Sequence, residues 1–260
     1  MAAPRHAETA TAAGAEPGAG APPLVEVVHV TKRFGGVVAN ADISIAVAAG
    51  EIVGVIGPNG AGKSTLFDVI TGFSRPDVGD VRLDGRSITG LRPDQVTRRG
   101  VARTFQKLRL FGGMTVGDNV LVGALRHERD PRVARTAADH YLALVGLADK
   151  RTAFARELST GQRKRLEMAR ALATRPRLLL LDELTGGVDQ RSIPSLVALV
   201  GRLRDEGTTL VVIEHNMRVI MSVASRIVAL HLGRKLADGT PADVVRDRRL
   251  IDAYLGASYA

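Results

Sequence analysis

Gly57-Pro58-Asn59-Gly60-Ala61-Gly62-Lys63-Ser64-Thr65 lies between an apolar run, Ile52-Val53-Gly54-Val55-Ile56, and a helix-like stretch, Leu66-Phe67-Asp68-Val69-Ile70. The order reads as a strand, a glycine-rich turn and a helix start. The spacing fits G-x-x-x-x-G-K-[ST], a loop whose backbone N–H groups close round the α- and β-phosphates of a nucleotide while its lysine reaches the β- and γ-phosphates. Here Gly57, Asn59, Gly60, Ala61, Gly62, Lys63, Ser64 and Thr65 would form that cradle, with Ser64 as a magnesium ligand. The helix start suits an anion, because its first N–H groups lack partners and the macrodipole is positive there.

Working outward, 260 residues can build one α/β domain with a large core, or at most two small domains. The chain has no cysteine, so neither disulfides nor thiolate metal sites are possible. No stretch approaches eighteen consecutive apolar residues, and residues 1–23, rich in alanine, proline and glycine, lack the apolar segment of a secretory signal. The expectation is a soluble, cytosolic chain whose first 23 residues form a disordered tail ahead of a domain spanning 24–256. A formal charge of +9 would favour nucleic acid or an anionic membrane surface as a neighbour. Aromatic and basic residues do not interleave as they do in single-strand readers, so a basic solvated surface is the simpler reading and no specific nucleic-acid partner is expected.

Taken in order, residues 24–30 partly alternate and predict a strand, 41–47 predict another, and 31–36 predict a loop between them carrying Phe34. A flat aromatic there could stack on an adenine ring, although a lone phenylalanine is more often core. Residues 79–85 read as a strand, 93–99 as a short helix closed by Gly100, and 101–105 as a strand leading to Gln106. From 107 to 157 no convincing strand occurs, and the segment reads as a helical insertion whose subdomain, with the helix after it, runs to about 173. Ser159 is a plausible N-cap for that helix, which Pro176 ends. Residues 178–183 form a continuously apolar strand ending in Asp182-Glu183, as expected inside a parallel sheet covered on both faces. A helix with Ile193, Leu196, Val197, Val200 and Leu203 on one face follows, then a strand over 210–213, Glu214-His215, a hairpin over 226–239 turning near Gly233, and a closing helix over 241–255.

A phosphate loop joined to a strand-end carboxylate pair divides the labour of phosphoryl transfer: Asp182 can hold magnesium and Glu183 can orient or activate the attacking water. Gln106 and His215 each follow a predicted strand, so a parallel sheet would bring both to the phosphate edge. Gln106 could ligate magnesium or sense the γ-phosphate, and His215 could hydrogen-bond it.

At this point the chain, from about 24 to 256, resembles the ATP-binding subunits of ABC transporters. Residues 57–65 are similar to the Walker A loop, Gln106 to the Q-loop glutamine, 158–162 to the signature motif, 178–183 to Walker B and His215 to the switch histidine. Phe34 corresponds to the adenine-stacking aromatic and Asp189 to the D-loop aspartate. The resemblance implies a P-loop NTPase core of the ABC type with an inserted helical subdomain and an N-terminal antiparallel β portion, binding ATP and Mg2+. It also implies that Ser159, Gly161 and Gln162 meet ATP held by another protomer, a second copy or a paralogue. Within the superfamily, Lys32-Arg33-Phe34-Gly35-Gly36, Ala102-Arg103-Thr104-Phe105-Gln106 and Ile213-Glu214-His215-Asn216-Met217 look like the branched-chain amino acid importers, as do Arg109-Leu110-Phe111, Met114-Thr115-Val116 and Asp252-Ala253-Tyr254-Leu255-Gly256. Three residues depart from the usual pattern: Thr160 for glycine or tyrosine, Leu184 for proline and Asn216 for aspartate. The implied setting is the cytoplasmic face of the inner membrane, with separate permease subunits and a solute-binding protein outside. Alternatives are a urea or amide importer subunit and a non-transport or lipopolysaccharide-type ABC ATPase.

Overall fold

A computed structural model describes residues 22–256, so the tail expected over 1–23 lies, but for its last two residues, outside the described residues. At the centre stands β3 (Ile52–Ile56), every residue of which is buried. It pairs in parallel with β8 (Thr209–Ile213) on one side and β9 (Arg226–His231) on the other. β7 (Leu178–Asp182) and β6 (Val101–Arg103) extend the parallel ladder, and β10 (Arg234–Gly239) adds an antiparallel edge, giving the order β10-β9-β3-β8-β7-β6.

The two faces of this sheet bury alternate residues, as a period of two demands. Val53, Val55, Leu178, Leu180, Val211 and Ile213 join one core, and Ile52, Ile56, Leu179, Leu181, Leu210 and Val212 join the other. Each such side chain contributes about 1.5–3 kcal/mol of transfer free energy, so apolar runs with no polar face can form only here, between two covering layers.

The first cover is a helix and a second sheet. Helix α1 (Lys63–Ile70) packs Leu66 and Phe67 into the same core as Val25, Val27, Ile43, Val81 and Leu83. Those residues come from β1 (Val25–Phe34), β2 (Val37–Val47) and β4 (Val78–Leu83), which with β5 (Arg86–Ser87) form an antiparallel sheet in the order β2-β1-β4-β5. The loop expected over 31–36 is corrected here: β1 runs to Phe34 and β2 starts at Val37, with Phe34 opposite Val37. Gly35 and Gly36 alone make the turn, Gly35 at φ +55, and bulges shift the register where alternation is weak.

The second cover is helical. After β6 and the short α2 (Pro93–Arg98) that precedes it, α3 (Val116–Ala124), α4 (Pro131–Leu144) and α5 (Thr160–Leu172) pack on one another, and no named strand occurs among residues 104–177. Ser159 caps α5 through a reciprocal box with Gln162. Helix α6 (Ile193–Asp205) buries Leu196, Leu199, Val200 and Leu203 on the same side, and α7 (Met217–Val223) lies against β3. The closing helix expected over 241–255 is two helices, α8 (Pro241–Arg246) and α9 (Arg248–Gly256). Asp247 separates them in extended backbone, its carboxylate accepting from the N–H and guanidinium of Arg249.

Candidate nucleotide site

Parallel strands place their C-terminal ends on one edge, and that edge carries the phosphate loop, Gln106, Asp182, Glu183 and His215. The loop after β3 turns at Gly57 (φ +151), where a Cβ would lie 2.2 Å from the carbonyl oxygen of Leu230 in β9. It enters α1 through Gly62 (φ +98), where a Cβ would lie 2.2 Å from Ala39 O and 2.6 Å from Asn40 Nδ2. Both positions therefore need glycine for space as well as for dihedral angle. Asn40, fully buried in β2, holds the turn by donating to Gly62 O at 3.0 Å. Gly62 gives α1 no side-chain cap, and the first bond back into the helix runs from Leu66 N–H to Gly62 O, so the preceding N–H groups face the cleft.

Lys63 is buried and donates to Gly57 O at 2.7 Å and Pro58 O at 3.0 Å, using two of the three donors of an ammonium. Burial pulls its pKa below the usual lysine range, against the opposing pull of Glu183 and Asp182. The cleft of about 610 Å³ that the loop borders is lined by residues 59–65, by Gln106, Glu183, Ile213 and His215, and by Val37, Val38, Ala39 and Leu232.

Glu183 is the junction. The strand expected over 178–183 ends at Asp182, and Glu183 turns out of the ladder at φ +55, a left-handed conformation uncommon for glutamate. Three contacts hold it there: its N–H donates to Ile213 O at 3.0 Å, Lys164 Nζ of α5 donates to its carbonyl at 2.7 Å, and Gly186 N–H reaches the same carbonyl at 3.3 Å. Its Oε1 receives Gln106 Nε2 at 2.9 Å and lies 3.1 Å from His215 Nε2. Gln106 reaches it from further back than expected, because β6 stops at Arg103 and leaves a short connector in place of a strand over 101–105. Two loops from different strands thus meet on one carboxylate oxygen.

Asp182 is buried and its Oδ2 is paired with Arg103; its Oδ1 accepts no hydrogen bond among the described residues. The Ser64 hydroxyl, the free Asp182 Oδ1 and the Gln106 amide carbonyl are oxygen atoms of the kind that a hard ion such as Mg2+, keeping several waters and sharing itself with phosphates, would take. Among the described residues no group of three or more His, Cys, Asp or Glu is arranged to hold a metal ion.

Other expected residues stand apart from this cleft. Phe34 is 51% exposed at the end of β1, with Lys32 Nζ 5.2 Å from its ring centre; it is not core, and the apolar wall beside the loop comes from Val37, Val38 and Leu232. Ser159, Gly161 and Gln162 open α5, and Asp189 accepts Ser192 N–H at 3.0 Å and its hydroxyl at 2.7 Å, which hold its carboxyl below the usual range. None of the four lines the cleft of its own chain. Of the three departures, Asn216 caps α7 by accepting from Arg218 and Val219 N–H, a task an aspartate would perform equally, and Leu184 is buried.

Sequence reading missed the charged residues behind these groups. Glu167, buried in α5, accepts the N–H groups of Phe105 and Arg109 that flank Gln106, each at 3.3 Å, and burial raises its pKa. Glu214 accepts Thr185 N–H at 2.6 Å and its hydroxyl at 2.8 Å, together with His215 N–H at 3.1 Å, tying the loops after β7 and β8. Glu214 had one legible cue, a carboxylate at the end of an all-apolar strand; Glu167 had none.

The sheet order and the glycine turn feeding α1 make this a P-loop nucleotide-binding protein, and the helical cover seated on the loop after β6 narrows the class to the ATP-binding cassettes. A family model described as ABC transporter matches residues 41–186, more than half of the chain, and the chain belongs to that family. A second model, described as branched-chain amino acid ATP-binding cassette transporter, matches residues 234–260. The high-affinity branched-chain amino acid transport ATP-binding protein BraF of Pseudomonas aeruginosa is 41% identical over 250 residues, covering 90% of this chain and 98% of BraF. Among solved structures, the ADP conformation of MJ1267, an ATP-binding cassette of an ABC transporter, superposes with a TM-score of 0.82 at 30% identity over 90% of this chain and 99% of its own. The dimeric structure of MJ0796, a bacterial ABC transporter cassette, gives a TM-score of 0.77 at 28% identity, covering 84% and 98%.

Proposed function

We propose that this chain is the ATP-binding and hydrolysing subunit of an importer for branched-chain amino acids or related small hydrophobic or amide solutes. The observation that carries the chemistry is the meeting of Gln106 and His215 on Oε1 of Glu183 beside the phosphate loop. Lys63 and the N–H groups of residues 60–65 bind the phosphates, and Phe34 offers its exposed face to the adenine. Ser64, Asp182 and Gln106 would hold Mg2+, which would neutralise charge on the phosphates. Glu183 takes a proton from the attacking water, and His215 hydrogen-bonds the γ-phosphate while orienting Glu183.

Separate permease subunits carry the solute, a reading supported by the similarity to transport ATP-binding proteins such as BraF; no helix of the described residues is long and apolar enough to cross a membrane. An outer solute-binding protein selects the cargo, and the chain works at the cytoplasmic face of the inner membrane. Ser159, Gly161, Gln162 and Asp189 lie away from their own cleft, which supports a head-to-tail pair, a homodimer or a pair with a paralogue, in which they meet the nucleotide of the other protomer. The exposed Phe111 and the segment after Gln106, which lead into the helical layer, form the face offered to the permease.

Deleting the gene should lower ATP-dependent uptake of radiolabelled leucine, isoleucine, valine or a related amide, and the wild-type gene but not Glu183→Gln should restore it. Unchanged uptake across that panel, in cells without redundant transporters, would refute the solute class and leave the ATPase intact.

A further inference from the structure

Arg103 closes β6, three residues before Gln106, and its side chain is only 7% exposed. One guanidinium nitrogen, Nη2, donates to Asp182 Oδ2 at 2.7 Å, and the other, Nη1, pairs with Asp68 Oδ1 on α1. The flat face of the group is wedged between rings, 5.4 Å from the centre of Phe67 and 5.0 Å from that of Phe105. Its Nε is buried with no acceptor.

A buried ion pair is a poor source of stability, because desolvating both charges consumes most of their attraction, and the orphaned Nε makes this one poorer still. Its consequence lies in where the charge sits. Asp182 is a buried carboxylate near enough to the phosphate loop for its charge to act on Lys63, and Lys63 bonds to carbonyls of its own loop, so Arg103 is the cation paired with Asp182. The pairing also selects an oxygen: Oδ2 is taken, Oδ1 is left, and stacking on Phe67 and Phe105 keeps the guanidinium from rotating away.

We infer that Arg103 is a positioning residue that acts as the resident counter-cation of Asp182, fixing its carboxylate and setting how strongly nucleotide binding depends on magnesium. The inference rests on the nucleotide site proposed above. With Arg103 present, the phosphates of a metal-free nucleotide meet an Asp182 that is already neutralised. Without it they meet a bare carboxylate, and a divalent cation must supply the missing charge. Asp68, half outside the pair and 39% exposed, works in the opposite direction: it draws off part of the Arg103 charge, so losing it strengthens the neutralisation of Asp182.

The test is calorimetric titration of the full chain with ADP, once in EDTA and once with saturating Mg2+, read as the ratio of the two dissociation constants. Arg103→Gln should raise that ratio about tenfold, chiefly by weakening metal-free binding, and Arg103→Lys should stay within about twofold of wild type. Asp68→Asn, a change at a part-exposed site that leaves the fold intact, should lower it by about threefold. A purely structural Arg103 would weaken both affinities by one factor and leave the ratio unchanged. An unchanged ratio in Arg103→Gln overturns the inference, and if that variant fails to fold, an unchanged or raised ratio in Asp68→Asn does so. Wild-type protein that binds no ADP in either condition would instead refute the nucleotide site itself.

Discussion

Lys63 holds its ammonium against two carbonyls of its own loop, and incoming phosphates would replace those neutral acceptors with charged ones. Charge-assisted hydrogen bonds are worth about 1.5–3 kcal/mol, so Lys63→Ala should weaken ATP binding by about 10- to 100-fold. Equal affinity in wild type and variant, measured by calorimetry with magnesium, would contradict the phosphate-loop assignment. At this scale the sequence shows the residues that face the cleft and hides those behind them. Gln106, Glu183 and His215 are legible because each stands at or just past the end of a strand in a sheet whose parallel order can be inferred, and strands that run together end together. Arg103, Lys164 and Glu167 look like any charged residue in a strand or helix; only tertiary packing turns them inward onto Asp182, the Glu183 carbonyl and the backbone around Gln106.

Among the elements, the turn into α1 is the most constrained. At Gly60 (φ +78) an added Cβ meets nothing within 4 Å, whereas at Gly62 it meets a backbone carbonyl and a buried amide. Gly60→Ala should therefore cost only the left-handed backbone penalty of about 1–2 kcal/mol, while Gly62→Ala adds displacement of β2 and should cost clearly more. Urea unfolding of the two variants separates these cases, and equal loss would show that the packing of β2 on the turn is unimportant. The parallel strands and α5 could be placed from sequence because continuous apolar runs and an N-cap serine ahead of a helix have few other solutions; the reciprocal bond from Gln162 appears only in the structure. The β1–β2 hairpin could not, since Lys32-Arg33 interrupts the alternation and the ladder absorbs the irregularity in bulges. The break between α8 and α9 was equally hidden, because Asp247 ends one helix by a local bond to Arg249 in a stretch whose composition is helical throughout.

For the molecule as a whole, the two cores on either side of one sheet explain how 260 residues can join a nucleotide cleft to a helical face. Ala61 of the phosphate loop and β2 lie with the first core and the α3–α5 layer with the second, and Glu183 is bonded by Gln106 after β6, His215 after β8 and Lys164 of α5. The ATPase reading requires that Glu183 perform the chemistry and that the nucleotide join two chains. The most direct measurement is the mass in solution and the fate of bound nucleotide when Glu183→Gln is mixed with Mg2+ and ATP. The side chain keeps its shape but cannot accept a proton, so ATP should stay intact and the mass should double, while wild type hydrolyses the nucleotide and returns to monomer. A variant that turns over ATP at the wild-type rate and stays monomeric would contradict both the role of Glu183 and the shared site.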